Sequence, residues 1–182
     1  MAKLISKTYG DALFELGIEK NSIEVLFEEA KAVLESIKNN GDLLKFLNNP
    51  QIESEEKQEV ISNIFKQFVS VDMMGFLKTI VEKGRQNNFI EIFEYFIGTV
   101  KEYKHIGVVY VTTPLPLQDS ARKAIEDKLL ATTSYKSLEM NYSIDESLIG
   151  GMVIRIGDRV VDSSIKSKIG AMTKELMDIQ LA

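Results

Sequence analysis

The 182-residue chain contains no cysteine and no tryptophan, and it has only one histidine and three prolines. The lack of cysteine excludes disulfides, thiolate zinc sites and cysteine nucleophiles within this chain. No apolar run approaches the ~20 residues that a membrane-spanning helix needs. We therefore expect a protein that reaches a membrane only through a partner.

The chain also has fewer basic than acidic residues. It contains 22 Lys and Arg and 27 Asp and Glu, which gives a formal net charge of −5. Nucleic-acid binders usually present a basic face to the phosphates, so a nucleic-acid partner is not expected. The one histidine, His105, has no nucleophile or orienting acid beside it in the sequence, so we interpret it as a solvated side chain. The sequence predicts no catalytic residue, no metal ligand and no cofactor.

Apolar side chains recur at helical spacing through residues 1–105 and form six successive stripes. The sixth stripe, from about Asn88 to Lys104, is apolar around more than one face, which is typical of the central helix of a bundle. The pattern predicts an N-terminal six-helix bundle that spans residues 1–105.

After His105 the apolar period changes from that of a helix to that of a strand. Strand patterns at 108–113 and 138–144 flank a helical pattern at 118–131, and a β-hairpin and a terminal helix follow. We therefore predict a small α/β domain over residues 106–182 and an α+β protein overall. The terminal helix carries an apolar seam at heptad-like spacing, made of Ile165, Ile169, Met172, Leu176 and Ile179. Packing on the sheet of its own domain is favoured for this seam over a free coiled-coil surface.

The hairpin is the most specified segment of the chain. Gly157 and Asp158 separate two β-branched runs, which predicts a two-residue type II′ turn with Gly157 in its first central position. That register places Arg155 opposite Val160 and diagonal to Asp162, within reach of an exposed ion pair.

Two features of this segment also allow a catalytic interpretation. Gly150-Gly151 could approach a phosphate, and Asp158 and Asp162 could form an acid–base pair. A phosphate loop should open a helix, however, whereas here a strand follows the glycines. A bulge or a close backbone contact is the favoured interpretation of the glycines, and turn and capping roles are favoured for the aspartates.

Three stretches together resemble the delta-subunit family of F-type ATP synthases, the counterpart of the mitochondrial oligomycin-sensitivity-conferring subunit. They are Tyr-Gly-Asp-Ala-Leu-Phe-Glu-Leu at 9–16, Phe-Leu-Lys-Thr-Ile-Val-Glu-Lys-Gly-Arg at 76–85, and the segment 145–164 with its Leu-Ile-Gly-Gly, Gly-Asp and Asp-x-Ser elements. The last is the most specific. One departure is Gly10, which stands where the family usually has alanine.

The resemblance implies a non-catalytic stator subunit of the proton-translocating ATP synthase. The N-terminal domain of the family binds the N-terminal segments of alpha subunits at the catalytic head, and the C-terminal domain binds the C-terminal ends of the b subunits of the peripheral stalk. The expected location is the cytoplasmic face of the bacterial inner membrane, as a peripheral part of the complex. A generic helical adaptor, or a small enzyme that uses Gly150-Gly151 and Asp162, is the alternative.

The resemblance also implies roles for two sets of residues. The contact with the alpha subunit is expected on the first and fifth helices. The matched positions expected to take part in it are Tyr9, Ala12 and Leu13, on the first helix. The family-signature residues are expected to have structural roles, and they are Leu148, Gly150, Gly151, Arg155, Gly157, Asp162 and Ser164.

Overall fold

The computed structural model describes residues 2–180, with the side chains of residues 4–174. Eight helices and four strands lie in this part of the chain. The chain divides into two compact units, residues 1–101 and 102–182, so the division falls slightly before the predicted boundary at residue 105. Of the residues described, none belongs to a helix with both the length and the apolarity that a bilayer crossing requires.

The first unit is the predicted helical bundle, and its six helices confirm that part of the fold. They are α1 (Ala2–Glu19), α2 (Ile23–Asn39), α3 (Gly41–Asn48), α4 (Ser54–Phe65), α5 (Val71–Glu82) and α6 (Phe89–Tyr103). A 3-10 turn at Gln86–Asn88 leads into α6.

The centre of this bundle is α6, as its broad apolar pattern predicts. Three of its aromatic side chains, Phe89, Phe93 and Phe96, are almost fully buried. The Phe93 ring stacks on Phe89 at a centroid distance of 6.2 Å and meets Phe76 of α5 edge-on at 6.0 Å. Offset and edge-to-face contacts of this kind add to the burial of apolar area, so α6 organises the core.

The start of α5 depends on residues far away in the sequence. Ser70 Oγ accepts a hydrogen bond from Met73 N, which makes Ser70 the N-cap. The Glu29 carboxylate of α2 in turn accepts hydrogen bonds from Ser70 N at 2.7 Å and from Ser70 Oγ at 2.9 Å. A negative group at this end of the helix also suits the helix dipole. α2 is therefore attached to the first turn of α5.

The second unit is the predicted α/β domain. Its elements are β1 (Ile106–Thr113), α7 (Asp119–Thr132), β2 (Ser137–Ile144), β3 (Val153–Ile156), β4 (Arg159–Asp162) and α8 (Ile165–Gln180). The strand order is β2-β1-β3-β4, with β1 parallel to β2 and antiparallel to β3. The central strand β1 buries Val109 and Val111 completely, so it forms the core of the sheet.

The β3–β4 hairpin has the predicted register, with Ile156 opposite Arg159 and Arg155 opposite Val160. Gly157 adopts a φ of +54°, as the first central residue of a II′ turn requires. The prediction of an ion pair between Arg155 and Asp162 is wrong. Arg155 Nε instead donates to the Gly157 carbonyl at 3.4 Å, and the carboxylate caps the following helix.

Candidate docking surfaces

The two signature glycines allow a loop to pack against the start of α8. A Cβ atom on Gly151 would lie 2.4 Å from the Ser163 carbonyl oxygen, and its φ of +77° also favours glycine. A Cβ atom on Gly150 would lie 2.6 Å from Ile165 Cδ1, and the Gly150 carbonyl accepts a hydrogen bond from Ile165 N at 3.0 Å. Both glycines therefore serve close backbone contact.

Asp162 and Ser164 begin α8. The Asp162 carboxylate accepts hydrogen bonds from Ser164 N at 2.8 Å and from Ser167 Oγ at 2.6 Å. The buried Ser164 hydroxyl accepts one from Ser167 N at 3.2 Å, so Ser164 is the N-cap. The hydrogen bonds from Ser167 and Ser164 lower the pKa of the Asp162 carboxyl below its usual 3.8.

These contacts argue against the alternative of a small enzyme that uses this segment, because they occupy the groups that its active site would need. Both carboxylate oxygens of Asp162 are engaged in capping, and the space beside Gly150 and Gly151 is filled by protein. In the part of the chain that the structure describes, no group of three or more His, Cys, Asp or Glu residues could hold a metal ion. Leu148, the first signature residue, is a buried apolar contact, 7% exposed.

The first unit offers a surface along α1 and α5, which lie side by side. The Tyr9 ring of α1 meets Phe76 of α5 edge-on at 6.4 Å, and Lys20 Nζ pairs with Asp72 at 2.5 Å. Asp72 lies in the first turn of α5, two residues after the N-cap Ser70.

Of the three positions expected to contact a partner, the structure places two on this surface. Ala12 is exposed and Tyr9 is half-buried. Leu13 is only 1% exposed and belongs to the core of the bundle. Leu13 points into the bundle although Ala12 is exposed, because neighbouring residues of a helix lie about 100° apart around its axis. Its contact with a partner stays a prediction. Sequence reasoning missed Val71, which is 89% exposed at the start of α5.

The second unit contains an apolar groove between α7 and the hairpin. Its volume is about 1000 Å³. The sheet residues Ile154, Ile156 and Val161 form its floor, and Ile125 and Leu129 of α7 form one wall. These five side chains leave enough room that Val161 remains 63% exposed.

A second apolar surface of this unit is the seam of α8. Its described members Ile165, Ile169 and Met172 are 42%, 51% and 63% exposed. The favoured prediction that this seam packs on its own sheet is wrong for these three residues. The side chains of Leu176 and Ile179 lie outside the described residues.

Comparison with known proteins identifies the family. The model of the ATP synthase delta (OSCP) subunit family matches residues 5–176. The chain belongs to the ATP synthase delta (OSCP) family. It is 52% identical to an ATP synthase subunit delta from Lachnoclostridium phytofermentans over the full length of both chains, and 32% identical to one from Alkaliphilus metalliredigens over 98% of this chain and 99% of that protein.

A solved structure supports the fold alone. It is the mitochondrial ATP synthase hexamer of Toxoplasma gondii, in which one chain is similar with a TM-score of 0.75 at 19% identity, covering 94% of this chain and 97% of that chain.

Membership of the delta family decides between the two interpretations of the signature segment. The family is a non-catalytic stator component of ATP synthase. The contacts of the glycines, Asp162 and Ser164 described above accordingly build the start of α8.

Proposed function

We propose that the chain links the catalytic head of an ATP synthase to its peripheral stalk and stops the head from turning with the rotor. The first unit binds N-terminal segments of alpha subunits, and the second binds the C-terminal ends of the b subunits. The complex lies at the cytoplasmic face of a bacterial inner membrane, and this chain is peripheral there. Membership of the delta family over nearly the whole chain is the observation that carries this proposal.

The α1–α5 surface supports the contact with the alpha subunit. Helix-in-groove recognition needs two neighbouring helices with an apolar stripe left accessible between them. Tyr9 and Phe76 supply half-buried aromatic surface, while Ala12 is small and exposed, so a partner helix can approach the backbone of α1 closely. Val71 adds an exposed apolar side chain at the start of α5.

The second unit supports the contact with the stalk. Exposed apolar side chains at Ile165, Ile169 and Met172 form one face of a helix, which is the form in which another amphipathic helix is recognised. Two modest contacts on one chain also reinforce each other, because the first raises the effective concentration for the second. This arrangement suits a connector that must not detach under torque.

Two substitutions test the proposal, one on each of the two surfaces. Ala12→Asp places a charge on the α1–α5 surface, and Met172→Glu places one on the α8 seam. Each side chain is exposed, so the melting temperature should not change. Ala12→Asp should weaken binding of an alpha N-terminal peptide by about tenfold or more, and Met172→Glu should do the same for the C-terminal segment of b.

Each variant is the control for the other, because it should leave the second partner's affinity unchanged. Calorimetric titration of the full chain measures both affinities. Equal binding of both peptides by all three proteins would overturn the assignment of surfaces. Failure of the unchanged chain to bind either peptide would overturn the proposed link itself.

A further inference from the structure

Ile149 has a backbone conformation that is unusual for its residue type. Its φ and ψ are 65° and −42°, and Gly150 N donates to the Leu148 carbonyl at 2.7 Å across it. This is a γ-turn with a positive φ at its central residue, a rare and strained turn. Strain is greatest for a β-branched side chain, and glycine would occupy the same position freely.

The strained residue is also exposed. Ile149 is 66% accessible, although it is a large apolar side chain, and its neighbour Leu148 is buried. The fold therefore gains little packing from Ile149 and bears the strain of its conformation. Positions of this kind persist where the side chain has a use outside the folded core.

Ile149 is next in sequence to the residue that contacts the first residue of the α8 seam. The next residue, Gly150, contacts Ile165 through the hydrogen bond from Ile165 N and through the side-chain packing described above. Lys166 Nζ also donates to Ser147 Oγ at 3.1 Å, so the loop and the first turn of α8 are joined at two points. The loop that carries the exposed isoleucine is thus joined to the helix that carries the seam.

The seam has basic residues on both flanks in the first turn of α8. With about 3.6 residues per turn, Lys166 and Lys168 lie on opposite sides of the line through Ile165, Ile169 and Met172. Cations in the first turn of a helix are disfavoured by its dipole. The first half of α8, residues 165–174, contains no acidic residue, and Glu175 and Asp178 follow in its second half. A partner helix with acidic side chains beside its own apolar stripe complements this arrangement.

We propose that Ile149 and the seam form one docking surface for such an acidic-flanked amphipathic helix, and that Ile149 determines its affinity. The inference rests on the proposed function, in which this helix is the C-terminal end of b. Ile149 is kept as isoleucine for binding, at the expense of the fold.

The test replaces Ile149 by glycine in the full chain and titrates the C-terminal segment of b. Ile149→Gly removes the side chain and relieves the turn, so the melting temperature should stay the same or rise. Affinity should fall about ten- to hundredfold, the loss expected for an aliphatic contact buried at an interface. Ile149→Val keeps most of the aliphatic side chain and should therefore bind with nearly the affinity of the unchanged chain.

Two controls separate this role from a general effect. Ile144→Ala removes a similarly exposed isoleucine, 58% accessible at the end of β2, and should change neither quantity. Lys166→Glu with Lys168→Glu should weaken binding and reduce its dependence on salt.

The outcomes distinguish the inference from the proposed function. If the unchanged chain binds b and Ile149→Gly binds equally well, the inference is wrong and the link stands. A lower melting temperature for Ile149→Gly with unchanged affinity would show a structural role and would also overturn it. Unaltered affinity after both lysine substitutions would exclude an acidic-flanked partner. If the unchanged chain does not bind b, the proposed function fails for this unit.

Discussion

The ring of Tyr95 lies against the backbone of Gly10 and ties α6 to α1. A Cβ atom on Gly10 would lie 2.4 Å from Tyr95 Cδ1, and Tyr95 Oη donates to Asp11 Oδ1 at 3.0 Å. The close approach explains why this chain has glycine at position 10. At the residue scale, the absence of a side chain at Gly10 leaves room for the Tyr95 ring.

We predict that Gly10→Ala destabilises the chain although alanine is the better helix former. Overpacking against a fixed ring costs about 1–3 kcal/mol, which exceeds the ~0.5–1 kcal/mol that the added methyl contributes to helix propensity. Gly98→Ala is the matched control, because a Cβ there would meet nothing within 4 Å. Denaturant unfolding should show a loss of stability for the first variant and a gain for the second.

The Gly10 prediction includes a coupling test. Because the clash involves one side chain, Tyr95→Ala should remove part of the effect of Gly10→Ala, and the two changes together should cost less than their sum. Simple additivity would contradict the explanation.

At the scale of the element, the start of α8 depends on an ionised carboxylate. The pKa of Asp162 is lower in the folded chain than in the unfolded chain, so the unfolded chain takes up the proton first as the pH falls. The stabilisation from this group is therefore present above the usual value of 3.8 and is lost as the pH falls through the folded pKa.

We predict that the Ser164 amide reports this titration, because it donates directly to the Asp162 carboxylate. Its proton resonance, followed by NMR, should move with a midpoint below 3.8 in the unchanged chain and should lose that transition in Asp162→Asn. Asp158→Asn, in the turn of the same hairpin, is the control and should leave it in place. Persistence of the transition in Asp162→Asn would assign it to another group.

At the scale of the whole molecule, the chain is two compact units with different surfaces. A connector with one contact at each end fails as a connector when either contact is lost. Ala12→Asp and Met172→Glu should therefore have the same consequence in the assembled synthase, although they lie in different units and affect different partners.

We predict that each of these variants uncouples the enzyme. ATP hydrolysis should continue, because the catalytic sites lie in other subunits, while ATP-driven proton pumping in membrane vesicles should fall severalfold. Ala131→Asp, on the exposed end of α7, introduces the same charge elsewhere and should preserve both activities. Full pumping by either surface variant would contradict the connector role.

Much of the fold was predictable because local patterns specify it. The apolar period of α6 is read from the sequence alone, and the Gly157-Asp158 turn fixes the hairpin register through the twist that a II′ turn requires. The end of a stripe is less well specified. Phe68 continues the stripe of α4, yet it is 74% exposed, because α4 ends at Phe65 and Phe68 lies beyond the helix.

The candidate site was predictable only in part. The signature residues could be assigned structural roles, because Asp-x-Ser before a helix and Gly-Gly before a strand have backbone explanations. Ile149 carries no sequence signal of its own, since a positive φ at isoleucine is imposed by the neighbouring contacts of Gly150 and Gly151.

The sequence by itself determined the two-part α+β architecture, the hairpin and the family, because periodicity, turn chemistry and motif spacing are properties of neighbouring residues. Only the tertiary structure decided which apolar residues are free to bind. Leu13 is buried because neighbouring helices pack over it, and Val71 is exposed because no other element covers it. The seam of α8 looks in sequence like any buried stripe, and it becomes a surface only because the unit leaves Ile169 and Met172 uncovered.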